Sequence, residues 1–369
     1  MNAKAIASRV LVIFAALLLA AGAVALSFFP TARYSATENR LLAAAPQFSQ
    51  SALRDGAYTA AWDTFATERF PARGAMRKAR ALFSLSLGER EVHGVILCRD
   101  GSLSRRIQTD GRAFSQNLGA LARLAERFSQ IGLLPTVAIA PCRIEARAEV
   151  LPRLYDTGGE QENWKTLAAY HPRALALTDC TDDTLWYRTD HHWSTHGAYV
   201  AYCRIAESMG LVPFDDFTHQ VVSTDFYGTS DAAAGIPLIA PDSITLYRYE
   251  GDTQYLVTRD GAPADFSGLY DLEKLQTRDQ YAVFLGGNCG VLTVEKGDED
   301  PRPTLLLIRD SFADSVIPFL ARHFRMIAID PRYAAVSLST LAAEVDEVLV
   351  LCGMQSICNT LFFPSLLRA

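Results

Sequence analysis

The chain has 369 residues, of which 49% are hydrophobic and 21% charged, with a formal net charge of -6. That composition describes a folded protein and excludes a disordered or repeat chain. The basic residues form no long cluster, so the phosphate-neutralising surface of a nucleic-acid binder is not evident and nucleic acid is excluded as a partner.

Residues 10–29 read VLVIFAALLLAAGAVALSFF, preceded by Lys4 and Arg9. At about 1.5 Å per residue this run reaches across a hydrocarbon core about 30 Å thick. It predicts a membrane anchor over residues 1–30 with the amino terminus inside and the rest exported, although Arg33 and Arg40 weaken the charge bias. Ala23-Val24-Ala25 also resembles a cleavage site, and a cleaved signal peptide would export the same domain. An odd number of cysteines, seven, leaves at least one thiol unpaired within the chain. Cys98, Cys203 and Cys352 lie in apolar patterns and read as small core residues.

Residues 31–90 read as a lead-in segment with a helical stretch over 62–71, where Trp62, Phe65 and Ala66 recur at packing spacing. A globular domain is expected over 91–369. It opens with a strand-like run over 92–97 closed by the turn Arg99-Asp100-Gly101. A helix follows, with Phe114, Leu118, Leu121, Leu124 and Phe128 on one face. The continuous apolar run over 135–140 has the signature of a parallel strand covered on both faces. Residues 304–308, 326–329 and 348–351 predict further strands, with helices over 313–324 and around 341–345 between them, a βαβαβ unit. The fold class implied is α/β, a mostly parallel sheet flanked by helices, with sites at the carboxyl ends of strands. Residues 212–300 read as a β-rich insertion, including an alternating run over 244–249 and a strand-like run over 282–285.

Two clusters carry chemistry. The first is Tyr187-Arg188-Thr189-Asp190-His191-His192-Trp193-Ser194-Thr195-His196-Gly197. In an extended segment Asp190 and His192 share a face and His191 points away. A carboxylate beside imidazole fixes its tautomer and stabilises the imidazolium formed when it takes a proton. A helix is expected to start at Ser194 or Thr195, with Ala198, Ala201, Tyr202 and Ile205 on its apolar face. The second cluster is Arg309-Asp310-Ser311, where a buried strand gives way to a helix. A serine there has its hydroxyl at the top of the sheet and helical N–H groups beside it.

The run Asp190-His191-His192-Trp193 resembles the DHHW proteins, related to the SGNH-hydrolase-like O-acetyltransferases of alginate and other exopolysaccharides. Glu38-Asn39-Arg40, Arg69-Phe70-Pro71, Arg99-Asp100-Gly101, Arg309-Asp310-Ser311, Pro318-Phe319-Leu320 and Asp330-Pro331-Arg332-Tyr333 extend the resemblance, and the histidine motif precedes the serine motif as in the acetylation relatives. It implies an SGNH-hydrolase-like (flavodoxin-like) fold with Ser311 as nucleophile, His192 as base and Asp190 as orienting acid. It implies no cofactor, a glycan substrate, and a membrane-bound O-acyltransferase as acyl supplier. Arg309 stands where ordinary SGNH enzymes carry glycine, which leaves the oxyanion donors open: the Ser311 N–H and Asn288 are candidates, with Arg332 and Tyr333 lining the cleft. Arg332 equally pairs with Asp330 or Asp310 on this reading.

Three other readings compete. A metal-dependent hydrolase would use Asp190, His191, His192 and His196, although the companions of a His-Glu-x-x-His site are missing. Cys289 is an alternative nucleophile. A non-catalytic cell-envelope carbohydrate-binding protein would hold sugar rings on Trp186, Tyr187, Trp193 and Tyr227, although Trp193 reads first as core packing that supports the loop.

Overall fold

A computed structural model describes residues 3–28, 33–35, 37–38, 40–70, 72–107, 109–171, 173–177, 182–297, 300–334 and 345–367. The chain forms two compact units: Met1–Glu89 with Gly235–Pro237, and Arg90–Ala234 with Leu238–Ala369.

In the first unit helices run over Ala3–Phe28, Gln50–Arg54, Ala57–Arg69 and Arg73–Ser86. Val10, Leu11, Val12, Ile13, Phe14 and Leu17 to Leu19 are exposed on the first helix. Among the described residues no helix is long and apolar enough to cross a membrane. Trp62 stacks edge-on against Phe65 but stays exposed, so it packs less than its spacing predicts. Glu38 gathers Arg40, Arg73 and Arg77. Burial alone would raise its carboxyl, but these guanidiniums hold it down at about 2.

The second unit is built on an eight-stranded sheet in the order Ala262–Pro263, Leu256–Arg259, Val291–Glu295, Arg325–Ile329, Thr304–Arg309, Glu347–Gly353, Thr136–Ala140 and Leu175–Ala176. From Arg325–Ile329 to Leu175–Ala176 all neighbours are parallel, and the remaining three strands add antiparallel to the other edge. The sheet is thus mostly parallel, as expected. Successive side chains leave opposite faces. Leu305, Leu307, Leu349 and Leu351 enter one apolar core, while Leu306, Ile308, Val348 and Val350 enter the other. Two covered faces are the physical reason these strands read as unbroken apolar runs. The helix Gly111–Gln130, capped by the Asp110 carboxylate, covers one face with Phe114, Leu118, Leu121, Leu124 and Phe128 buried. Thr195–Ser208 covers the other.

Several expectations give way. The single strand over 92–97 is two short strands, Glu91–Val92 and Val95–Leu97, because His93 (φ 52°) and Gly94 (φ 75°) form a hairpin turn that needs positive φ at both positions. The helix over 313–324 shrinks to a 3₁₀ turn Ser311–Ala313 and a short helix Ile317–Leu320, since Pro318 lacks the N–H that would continue the earlier turn. Of the helix expected around 341–345, residues 341–344 lie outside the described residues. Residues 212–300 are not one appended insertion. Thr218–Phe226 pairs with Asp242–Arg248, but Leu256–Arg259 and Val291–Glu295 complete the main sheet. Burial of only every second residue in Val291–Glu295 gives the weaker alternation that suggested a separate element. The run over 282–285 is a 3₁₀ turn, Gln280–Val283, ended by three successive positive φ values at Leu285, Gly286 and Gly287.

Candidate active site

The Asp190 loop is a tight reversal rather than an extended strand. Trp186 and Trp193 pair across its base, and the half-buried Asp242 carboxylate accepts hydrogen bonds from the Arg188 N–H (2.7 Å), the Thr189 N–H (2.8 Å) and the Thr189 hydroxyl. The chain then enters Thr195–Ser208, whose cap is Ser194; the Ser194 hydroxyl oxygen accepts from the Gly197 N–H at 3.2 Å.

Within this loop the His192 backbone N–H donates to Asp190 Oδ1 at 2.9 Å, and His192 Nδ1 lies 2.6 Å from the same oxygen. Asp190 Oδ2 accepts from the Thr229 N–H at 2.6 Å and the Thr229 hydroxyl at 3.0 Å. All four acceptor directions of the carboxylate are thereby engaged. Burial alone would raise this carboxyl, but His191, His192 and the Thr229 N–H outweigh it and hold Asp190 well below the ordinary range. Gly228 makes the arrangement sterically possible. A Cβ there would lie 2.2 Å from Asp190 Oδ2 and 2.3 Å from its Cβ.

The serine arrives from the sheet. Strand Thr304–Arg309 ends at Asp310, whose Oδ1 caps the Ser311–Ala313 turn through the Phe312 N–H at 3.0 Å. Asp310 Oδ2 accepts from the Gly353 N–H at 2.8 Å and the Ser356 hydroxyl at 2.6 Å, which ties the turn to the neighbouring strand. Ser311 Oγ then stands 2.8 Å from His192 Nε2. Ser311 and the Asp190-His192 pair, 119 residues apart in sequence from His192 to Ser311, form one continuous hydrogen-bonded line.

Tyr281 supports this line from below. Its ring stacks on His192 at 4.1 Å and 4°, and its hydroxyl donates to the Ser311 carbonyl at 3.1 Å. Trp193 Nε1–H donates to the Phe312 carbonyl at 3.1 Å and lies 3.0 Å from Ser315 Oγ. Trp193 is buried, which makes it a brace between the two arms rather than a sugar platform. Behind the serine, Arg309 is fully buried and paired with Asp314 at 2.5 Å.

His191 does not point away. Its ring lies beside that of His192 with centroids 3.8 Å apart, and its Nδ1 lies 2.6 Å from Thr229 Oγ1. The extended-strand premise failed because the segment turns at 188–192. Thr229, Gly228 and Tyr281 were all missed, since they come from the stretch read as a β-rich insertion. The only sequence signal for the first two is a Gly-Thr pair after aromatic Phe226-Tyr227, and Tyr281 has none.

Of the other candidates, Arg332 forms a two-pronged pair with Asp330 (2.9 and 2.6 Å), and Tyr333 is exposed beside it. Asn288 is exposed, and its carbonyl accepts from Arg259; no contact draws its amide to Ser311. Cys289 is buried against Arg309, and burial pushes its thiol up, which disfavours the thiolate a nucleophile needs. Asp190, His191 and His192 lie close enough together to offer ligands to a metal ion. The donor set fits poorly, because both Asp190 oxygens and both His192 nitrogens are already engaged in short hydrogen bonds. His196, the fourth ligand of the metal reading, is exposed and hydrogen-bonded to the Tyr247 hydroxyl at 3.0 Å, outside that group.

The DHHW protein family model matches residues 175–329, and the model of the SGNH hydrolase-like domain of acetyltransferase AlgX matches residues 102–236. Among solved structures the fold is similar to a DHHW family protein from Eubacterium siraeum, with a TM-score of 0.59 and 17% identity over 75% of this chain and 96% of that one. It is similar also to Bacillus cereus PatB1 with a sulfonyl adduct, with a TM-score of 0.58 and 17% identity over 73% and 96%. At such identities the likeness is one of fold. No curated protein sequence matches the chain.

Proposed function

We propose, starting from the DHHW match over residues 175–329 and the SGNH-like fold, that the protein is a Ser-His-Asp acyltransferase or esterase that moves acetyl groups on a cell-surface or exopolysaccharide glycan. The observation that carries this reading is the line from Ser311 Oγ to His192 Nε2 (2.8 Å) and from His192 Nδ1 to Asp190 (2.6 Å). His192 takes the Ser311 proton as Oγ attacks the ester carbonyl, and Asp190 stabilises the imidazolium. The tetrahedral oxyanion faces the backbone N–H of Ser311. Its collapse expels the donor alcohol, which receives the proton from His192, and leaves an acyl-serine. An acceptor hydroxyl or water then attacks the acyl carbon: the new C–O bond forms, the bond to Oγ breaks, and the proton returns through His192 to Ser311.

We further propose that the domain works outside the cytoplasm, either tethered through the apolar run over residues 10–29 or released after cleavage behind it, with a membrane-bound O-acyltransferase supplying the acyl group. Lys4 and Arg9 before the exposed apolar side chains of that run support this orientation. The test is exposure of the full chain to an aryl sulfonyl fluoride, read by intact mass and peptide mapping. One sulfonyl group on Ser311, absent from Ser311→Ala, is the expected result; no modification of a folded protein, or unchanged modification of Ser311→Ala, overturns the proposal and leaves a binding role.

A further inference from the structure

The proton bookkeeping around Thr229 determines what the second histidine of the motif presents to a substrate. Asp190 is an ionised carboxylate and only accepts. The Thr229 hydroxyl, 3.0 Å from Asp190 Oδ2, therefore spends its one proton on Asp190. His191 Nδ1 lies 2.6 Å from that same oxygen and must be the donor to it. In neutral His191 this leaves Nε2 as a bare lone pair, and no residue among those described bonds it. Burial first, then His192 with Arg105 and Arg332, push this imidazole down to about 3 against the pull of Asp190, so it stays neutral. The side chain keeps 22% of its surface exposed. Both rings turn Nδ1 towards Asp190 or its partner Thr229 and lie 3.8 Å apart, so each Nε2, across its ring from Nδ1, leaves away from the carboxylate, and that of His192 meets Ser311 there.

Resting on the acyl-serine reading above, we infer that His191 Nε2 accepts a hydrogen bond from the hydroxyl next to the one that reacts, so that the site selects a vicinal diol of the acceptor sugar. A single acceptor hydroxyl cannot serve both imidazoles, because its only proton goes to His192. Two adjacent hydroxyls on one sugar ring match two adjacent acceptor nitrogens. Water, which carries two protons, is the competing occupant, and the test separates them.

The full chain is acetylated with 4-nitrophenyl acetate and offered a methyl hexoside with adjacent free hydroxyls or its monodeoxy analogues. Wild type is expected to prefer the diol by about fivefold, the worth of one neutral hydrogen bond. His191→Phe is expected to lose the preference, and His191→Gln, which retains an acceptor oxygen, to keep part of it. Being ratios, these readouts do not depend on absolute rate. Equal use of diol and deoxy acceptors by wild type, no transfer to any diol from an acetylated Ser311, or an undiminished preference in both variants overturns the inference. So does a fall in hydrolysis with the preference intact, which would assign His191 to water. Failure of wild type to acetylate Ser311 at all overturns the acyl-serine reading instead.

Discussion

Replacing Gly228 by alanine tests whether the Asp190 arm works as the geometry says. The added methyl would lie 2.2 Å from Asp190 Oδ2, whereas ordinary contact begins at 3.4 Å. Asp190 must therefore retreat by a little over 1 Å, since Gly228 is itself held by its N–H donating to Thr189 Oγ1 at 3.0 Å. A 2.6 Å hydrogen bond from His192 stretched by that much passes out of bonding range. Misplacement of a catalytic group by this distance costs about a hundredfold, and complete loss of the orienting acid about ten-thousandfold. Overpacking adds about 1–3 kcal/mol of destabilisation. The expected result is a second-order rate of Ser311 sulfonylation at least about a hundredfold below wild type, with the urea midpoint lowered but the fold retained. Gly74→Ala is the control: its methyl meets nothing, and both quantities should hold. Sulfonylation of Gly228→Ala within threefold of wild type would refute the claim that Asp190 positions His192.

Two further predictions concern buried charge. Glu160 is fully buried, its Oε1 accepting from the Cys142 N–H at 2.9 Å while its Oε2 has no hydrogen-bond partner among the described residues, and burial pushes its carboxyl up to about 8. The native state thus holds a proton that the unfolded chain releases near pH 4.5, so stability falls as pH rises from about 4.5 to 8, by a few kcal/mol in order of magnitude. Glu160→Gln should flatten that slope in urea midpoints across the interval; an unchanged slope would remove Glu160 as its source. Arg309→Met leaves Asp314 buried without its partner, although burial already lifts that carboxyl to about 6 with Arg309 in place. A loss of about 3–5 kcal/mol is expected near neutral pH, smaller at pH 5 where Asp314 protonates, and largely restored in Arg309→Met/Asp314→Leu. Equal urea midpoints for wild type and Arg309→Met would refute this.

The relay residues were legible because each sits at a junction whose local signals are strong: Ser194 as a cap after Asp190-His191-His192, and Asp310-Ser311 after a buried strand. The sheet was legible because two-faced burial leaves unbroken apolar runs. What stayed hidden depends on tertiary contact. His191 was misplaced because a strand period was applied to a loop that Asp242, some fifty residues away, bends into a turn. Tyr281 looks like any core aromatic until the fold lays it flat on His192. Gly228 shows its role only when a methyl is built against Asp190.

The same contacts explain why two distant segments meet to within a hydrogen bond. Each arm is held by a carboxylate that never touches the relay: half-buried Asp242 grips the backbone before the histidines, and buried Asp310 grips the turn carrying the serine and the neighbouring strand end at Gly353. Trp193 then crosses from the histidine arm, and Tyr281, from the separate Gln280–Val283 turn, stacks on His192, each donating to a carbonyl of the serine turn. Removing any one of these bonds frees an arm, while the apolar cores on both faces of the sheet remain. Activity should therefore be far more sensitive than stability to substitutions at these supports, because a shift that costs the fold about 1 kcal/mol is large enough to separate Ser311 from His192.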